Sequence, residues 1–356
     1  MKDLKLQKLL VLLCLAVAVF LLLPACSFFG GGKEESQAEE SLPEEEEDPE
    51  YPLSIAGAEL SSRPGKVVSL APSLTEKLFD LARAYDLSIA ERLVGVSDYC
   101  DVIPDAAGLP SCGTAILPDL DTIGELAPRL ILTQTQLSED ALTALQQMDI
   151  EVAVLPHAGS LEELYNVYRD ISMLLEGKRT GGEIGDAFAA RFQSRLAAIA
   201  DAVAPWADDP VPVLYLRELD FVVAGGDTVE HELIEAAGMS NIAADQSGWS
   251  YPEGQPETEE VRAAFESIEL IFCDDNTVNI KDLEQSAYYK GLTAVLKDWY
   301  LYIDATVFER QGMAMLDQLE WMAQACYPES GLTSKPEDAP EAETADPVDD
   351  ADSGAE

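Results

Sequence analysis

Between Val67 and Met173 the chain alternates short aliphatic runs with longer segments whose apolar positions fall three and four residues apart. "KVVSLAP" (66–72), "RLVGVS" (92–97), "RLILTQ" (129–134) and "IEVAVLP" (150–156) carry little polar alternation, the pattern of strands buried on both faces. The intervening segments read as helices. "SLTEKLFDLARAY" (73–85) places Ser73 as N-cap with Glu76 three residues on, a capping box. "PDLDTIGELAP" (118–128) holds one short helix, "SEDALTALQQM" (138–148) a helix capped by Ser138, and "SLEELYNVYRDISMLL" (160–175) another. Strands alternating with helices imply a parallel sheet covered on both faces.

A second block begins near Val211. "VPVLYLRELDFVVAG" (211–225) is rich in β-formers, "TVEHELIEAAG" (228–238) is a helix closed by Gly238, and "EEVRAAFESI" (259–268) is a further helix. "ELIFCDD" (269–275) and "WYLYID" (299–304) read as strands, and "RQGMAMLDQLEWMAQACY" (310–327) as a terminal helix. The blocks echo one another, "SLTEKLFDLARA" with "TVEHELIEAAG" and "DTIGELAPRLILTQ" with "EVRAAFESIELIFCDD". Between them Ile184, Phe188, Phe192, Leu196, Ile199 and Val203 mark one face of a helix over Glu183–Ala204, about 33 Å long at 1.5 Å per residue. The expected fold class is α/β. Two similar lobes, each with a central, mostly parallel sheet flanked by helices, are joined by one long backbone helix, a strut that lets them tilt but not close like jaws.

Charge narrows the classes of partner. The 356 residues carry 67 acidic against 22 basic side chains, a formal net charge of -45. A phosphate backbone needs Lys and Arg to displace its counterions, so no nucleic acid is expected, nor adsorption to an anionic bilayer. Lys33–Glu50 and Glu329–Glu356 are Glu-, Asp- and Pro-rich with almost no large apolar residues, and read as self-repelling spacers. Lys2, Lys5 and Lys8 precede the apolar run Leu9–Leu23, which falls short of the ~20 residues a spanning helix needs and suits a secretory signal. The expected division is signal peptide 1–26, acidic linker 27–60, first lobe 61–176, linking helix 177–206, second lobe 207–328 and acidic tail 329–356.

Little in the chain suggests catalysis. The only histidines are His157, at a strand end, and His231, within an acidic helix pattern where packing is the simpler role. No nucleophile elbow, zinc helix motif or phosphate loop occurs, and "AGGDT" (224–228) is a turn before a helix. Cys100 and Cys112 flank a Pro/Gly-rich loop, where a disulfide and two free buried thiols are both open readings. What remains is a set of loops at strand C-termini, the place where open α/β sheets bind ligands. In the first block these are Ser97-Asp98-Tyr99, Thr133 to Gln136 and His157-Ala158. In the second they are Arg217-Glu218, Trp249-Ser250-Tyr251, Asp274-Asp275 and Phe308-Glu309-Arg310. Aromatic bodies with a few polar groups suit a large, partly apolar ligand.

"KVVSLAPSLTEKLF", "GVSDYCDVIP", "LDTIGELAPRLILT" and "DATVFERQG", in that order over roughly Lys66 to Cys326, resemble the substrate-binding proteins of ABC importers for cobalamin, ferric siderophores and haem. Leu23-Pro24-Ala25-Cys26 resembles the lipobox of bacterial lipoproteins, in which the cysteine is lipidated and becomes the first residue after cleavage. The resemblance implies a monomeric, non-enzymatic receptor held by lipid outside the cytoplasmic membrane, partnered by a permease and its ATPase, with no resident cofactor. It implies ligand contacts from Asp98, Tyr99, His157, Arg217, Trp249, Tyr251, Phe308 and Arg310. It implies docking acids at Glu139 in the first lobe and among Asp275, Asp282 and Glu284 in the second. A cobalt corrinoid is the favoured ligand. A ferric siderophore would use the cations Arg217 and Arg310, and haem an axial Tyr99 or His157. A surface-anchored α/β hydrolase is the alternative from another class, and an adhesive lipoprotein acting through its acidic tails is a third.

The anchor is directly testable. Cys26→Ser is expected to leave an unprocessed, unlipidated precursor, because a serine oxygen cannot form the thioether; labelled fatty acid still entering the variant would refute the lipobox.

Overall fold

The buried aliphatic runs of each block assemble into a sheet of their own. The computed structural model describes residues 50–85, 87–218, 222–250, 266–274, 276–286 and 289–332. In the first lobe β3 (Val67–Ser69), β4 (Leu93–Val96), β5 (Leu130–Thr133) and β6 (Glu151–Val154) form a wholly parallel sheet in the order β4-β3-β5-β6. A hairpin, β1 (Leu53–Ile55) and β2 (Ala58–Leu60), precedes them. It lies within the stretch expected to be linker, yet Tyr51, Leu53, Ala58 and Leu60 are buried in the core, and the Val154 amide donates to Ala56 O at 2.8 Å. Those four apolar residues break the acidic run, which is why the fold extends back to Glu50.

The connecting helices of this lobe are α1 (Pro72–Tyr85), α2 (Ile89–Arg92), α3 (Leu120–Leu126), α4 (Glu139–Gln147) and α5 (Leu161–Glu176). Ser138 caps α4 as expected and Ser160 caps α5, accepting from the amides of Ala141 and Glu163. At α1 the expected cap is displaced. Pro72 takes the first helical position, where its missing N–H is no loss, and Ala71 O accepts from Thr75 N, so Ser73 falls inside the first turn.

The strut is α6 (Lys178–Val203), longer than expected at 26 residues, about 39 Å. Phe188, Phe192, Leu196, Ile199 and Val203 are its buried face, with Ile184 partly buried. It lies tightly on α5. A Cβ added at Gly181 would stand 2.2 Å from Ser172 O and one at Gly185 2.4 Å from Arg169 Cα, so only glycine allows this approach. One turn on, the rings of Tyr168 and Phe188 stack with centroids 3.8 Å apart.

In the second lobe β7 (Pro212–Glu218), β8 (Val222–Ala224), β9 (Ser240–Asn241), β10 (Trp249–Ser250), β11 (Leu270–Asp274) and β12 (Tyr300–Ile303) form the six-stranded sheet β10-β8-β7-β11-β12, with β9 also pairing β7. β7, β9, β11 and β12 are parallel, while β8 runs antiparallel to both its neighbours, β7 and β10, a departure from strict likeness between the lobes. "AGGDT" is the turn expected. A Cβ on Gly225 or Gly226 would strike the carbonyls of Gly248 and Ala244 at 2.5 and 2.1 Å. Helices α7 (Val229–Ala236), α8 (Ile280–Gln285), α9 (Thr293–Leu296), α10 (Ala305–Arg310) and α11 (Ala314–Cys326) complete the lobe. The expected helix at 259–268 lies almost wholly outside the described residues. Cys100 and Cys112 are free and buried, Cys100 Sγ standing 3.3 Å from Thr75 Oγ1.

The terminal helix expected from Arg310 is interrupted, and the interruption joins the lobes. Gln311 adopts a left-handed backbone (φ 49°) between α10 and α11, and is 1% exposed. Its side-chain amide pairs with the backbone of Ala158 in the first lobe. Nε2 donates to Ala158 O at 2.7 Å and Oε1 accepts from Ala158 N at 3.0 Å. Beside it, Lys77 Nζ donates to Arg310 O at 3.0 Å, and Asp80 Oδ2 accepts from the Met313 amide at 2.9 Å and from the Tyr168 hydroxyl at 2.6 Å.

Gln311→Ala would leave the buried amide and carbonyl of Ala158 without partners. It is expected to cost about 2 to 4 kcal/mol in urea unfolding; a loss below about 1 kcal/mol would show that water replaces the clamp.

Candidate functional site

A cavity of ≈ 540 Å³ opens where the two lobes face each other. Nearly every wall comes from the C-terminal end of a strand. Pro72 and Ser73 follow β3; Tyr99, Asp101 and Val102 follow β4; Gln134 follows β5; His157 follows β6. The second lobe supplies Arg217 at the end of β7, and Thr306, Glu309 and Arg310 on α10 after β12. Parallel strands end on the same side of a sheet, so their loops converge there whatever their sequence.

Four expected ligand residues therefore meet: Tyr99, His157, Arg217 and Arg310. Ser97 starts the short turn that holds Tyr99, its hydroxyl accepting from the Tyr99 amide at 3.4 Å, and Tyr99 is 66% exposed, its ring stacked on no other among the described residues. Asp98 does not line the cavity. Its carboxylate takes the Ser111 hydroxyl and so ties the turn to the following loop. Phe308 is also displaced from the expected set. It points into the core, 2% exposed, with its ring edge-on to Tyr215 at 5.6 Å, because α10 turns that face toward β7 and the adjacent Glu309 and Arg310 toward the cleft. Trp249 is described only as a backbone position on β10, and Tyr251, Asp275 and Cys26 lie outside the described residues. Glu139 opens α4, and Asp282 and Glu284 lie on α8; all three are exposed, on helices that follow central strands.

Sequence reasoning missed Pro72, Ser73, Asp101, Val102 and Thr306 as cavity walls. Ser73 was assigned to capping. Its hydroxyl is instead buried with no hydrogen-bond partner among the described residues. The sequence signal was Pro72, whose place at the first helical position moves Ser73 inward.

The electrostatics are those of paired charges. Arg217 forms an ion pair with Glu309. Arg310 Nε stands 3.5 Å from Glu76 Oε2, and its Nη1 donates to Thr306 Oγ1 at 2.9 Å. His157 Nε2 lies 3.2 Å from Glu309 O. The close cleft walls, and then the Lys77 cation, hold its pKa down at about 4, so the ring is neutral at pH 7. Lys77 itself is enclosed, and burial pushes its pKa down to about 7 against the pull of Asp80 and Glu76. Near Arg217 in the second lobe, Glu230 is 2% exposed in the first turn of α7, and burial raises its carboxyl to about 7. His231 takes the packing role, its Nδ1 3.2 Å from Asn241 Nδ2. Among the described residues of the cleft no nucleophile stands beside a base. The cleft offers an exposed aromatic face, a neutral imidazole and paired charges that can exchange hydrogen bonds with a bound molecule.

The sequence profile of the periplasmic binding protein family matches residues 67–305. The chain is 24% identical over 278 residues to an uncharacterized ABC transporter substrate-binding lipoprotein, YvrC, of Bacillus subtilis, covering 76% of this chain and 82% of that protein. It is 31% identical over 198 residues to a cobalamin-binding protein of Halobacterium salinarum, covering 54% of this chain and 50% of the other, so the match spans half that relative's length. Among solved structures, the periplasmic heme-binding protein RhuT of Roseiflexus sp. RS-1 in apo form superposes with a TM-score of 0.59 at 22% identity, over 74% of this chain and 98% of the other.

Glu230 gives a pH test of this reading of the second lobe. A carboxyl raised in the folded state stabilises fully below its unfolded pKa of 4.5, and that contribution is lost as pH climbs through about 7. Glu230→Gln does not titrate, so its stability relative to the parent should rise by about 3 kcal/mol between pH 4 and pH 8. Parallel stability curves across that window would mean that Glu230 is ionised and well solvated.

Proposed function

Because the chain belongs to the periplasmic binding protein family, we propose that it is the lipid-anchored receptor of an ABC importer, capturing a cobalt corrinoid in the interlobe cleft and presenting it to a membrane permease. It is a binding protein and not an enzyme. The observation that carries the reading is the cavity itself, walled by strand-end loops of both lobes and containing an exposed tyrosine, a neutral histidine and two arginines. A ligand seated there touches both lobes at once, so its arrival is felt on the two surfaces that carry Glu139 and the Asp282–Glu284 pair. The similarity to a cobalamin-binding protein supports the corrinoid, a broad ring whose face suits Tyr99 and whose carboxamide arms suit carboxylates, arginines and Gln134. The lipoprotein relative supports an anchor at Cys26 on the outer face of the membrane.

Haem is a second reading, favoured by one observation: Tyr99 and the neutral His157 both face the cavity, and either is a donor to iron. A Soret band shifted on adding hemin, and moved again in His157→Ala, would favour it.

Titration calorimetry with cyanocobalamin decides the leading reading. Binding is expected, with Tyr99→Ala costing about 1 to 3 kcal/mol, the range for a truncated contact aromatic. No heat at high micromolar cyanocobalamin would end the corrinoid assignment. Docking is separable from capture: Glu139→Arg is expected to abolish uptake in cells while leaving the affinity of the purified protein unchanged, since a reversed charge cannot pair with a permease arginine. Loss of ligand affinity in that variant would place Glu139 in the cleft or the core instead.

A further inference from the structure

Among the described residues that line the cleft, both cationic side chains are already engaged. Arg217 is held by Glu309, which lines the same cavity, and Arg310 by Glu76, which stands behind it on α1. Among the described residues the cavity wall carries two carboxylates, Asp101 and Glu309, against two guanidinium groups, and His157 adds no charge at pH 7. Behind the wall on α1, Glu76 and Lys77 add one group of each sign. The whole chain, at a formal -45, surrounds the cleft with a field that repels anions as they approach.

We infer that Glu309 is a charge-selectivity residue, which by holding Arg217 excludes anionic chelates from the cleft and leaves it to ligands without net negative charge. This rests on the receptor reading above and narrows its ligand class. A bound anion has two options. It displaces the Glu309 carboxylate from Arg217 and leaves that carboxylate in a shrinking volume of water, or it lies beside the intact pair and faces Glu309 as a like charge. Either costs more as the ligand fills the cavity and excludes solvent, since charges there are screened less than at an open surface. A neutral corrinoid meets neither cost. Its amide hydrogens donate to Glu309 and Asp101, and its amide oxygens accept from Arg217 and Arg310 without any ion pair being broken. Glu76 serves the same end at Arg310, but it also receives Arg83 at 3.1 Å and abuts Gly312 at the lobe junction, so Glu309, half-exposed on α10, is the cleaner position to test.

The probe is ferric enterobactin, a trianionic tricatecholate, titrated into wild type, Glu309→Gln and the double variant Glu309→Gln/Arg217→Gln at low and high ionic strength. Glu309→Gln is expected to raise affinity for ferric enterobactin about tenfold at low salt by removing a carboxylate that competes with the anion for Arg217, and the gain should shrink at high salt. The double variant, with the Arg217 cation also removed, should lose the gain. Unchanged affinity in Glu309→Gln, or a gain that survives loss of Arg217, overturns the inference. The comparison is read on the anionic chelate alone. Failure of cyanocobalamin to bind wild type would therefore sink the corrinoid reading and leave this result standing.

Discussion

The architecture depends on a buried carboxylate. Asp80 is 4% exposed and receives three donors: the Tyr168 hydroxyl, the Arg83 guanidinium and the backbone amide of Met313. The first two belong to its own lobe and the third to the other. A buried charge is tolerable only when its lone pairs are filled, so the lobes must meet in one register for Asp80 to be satisfied. Lys77, one turn earlier on the same helix, donates its ammonium across the same junction to Arg310 O. Gln311 then locks the neighbouring strand-end loop with two hydrogen bonds to one residue. Apolar surface alone would let the lobes slide; these directional contacts do not.

A fixed junction explains the state of the cleft. Arg310 leads directly into the clamp, and Glu309 and Thr306 sit on the same short helix, so one wall is positioned by the contacts that hold the lobes together. The opposite wall is set by Pro72 and Ser73, at the start of the helix that carries Lys77 and Asp80. Cavity-lining and lobe-joining residues thus alternate along two short segments.

Much of this was legible in the sequence, and the failures have physical causes. Strand and helix order followed from periodicity, since buried parallel strands leave continuous aliphatic runs and two-faced helices leave three- and four-residue steps. The convergence of Tyr99, His157, Arg217 and Arg310 followed from topology, because all four stand at or just beyond strand ends. Phe308 was misplaced because its segment reads as a strand-end loop, whereas it forms α10, in which neighbouring residues point about 100° apart and Phe308 turns to the core. Asp98 was misplaced because its partner, Ser111, is distant in the chain. Gln311 and Asp80 were invisible for a related reason: a side chain that satisfies a distant backbone group leaves no periodic trace. The hairpin Leu53–Leu60 was lost in an acidic neighbourhood whose composition masked a few apolar residues.

Glu50, the first residue described, accepts from the Arg179 and Thr180 amides at 2.7 and 3.2 Å and from the Thr180 hydroxyl at 2.7 Å. It is the N-terminal cap of the strut, supplied from 129 residues away in the chain, since the residue before that helix is Gly177 and offers no side chain. Mechanically, the polypeptide enters the fold at the end of its stiffest member. A pull on the chain ahead of Glu50 is delivered along hydrogen bonds to the first turn of a rod that touches both lobes, and not to a peripheral strand that would peel. A load applied there is shared by the whole body, so the receptor can be held by one end without its cleft being prised open.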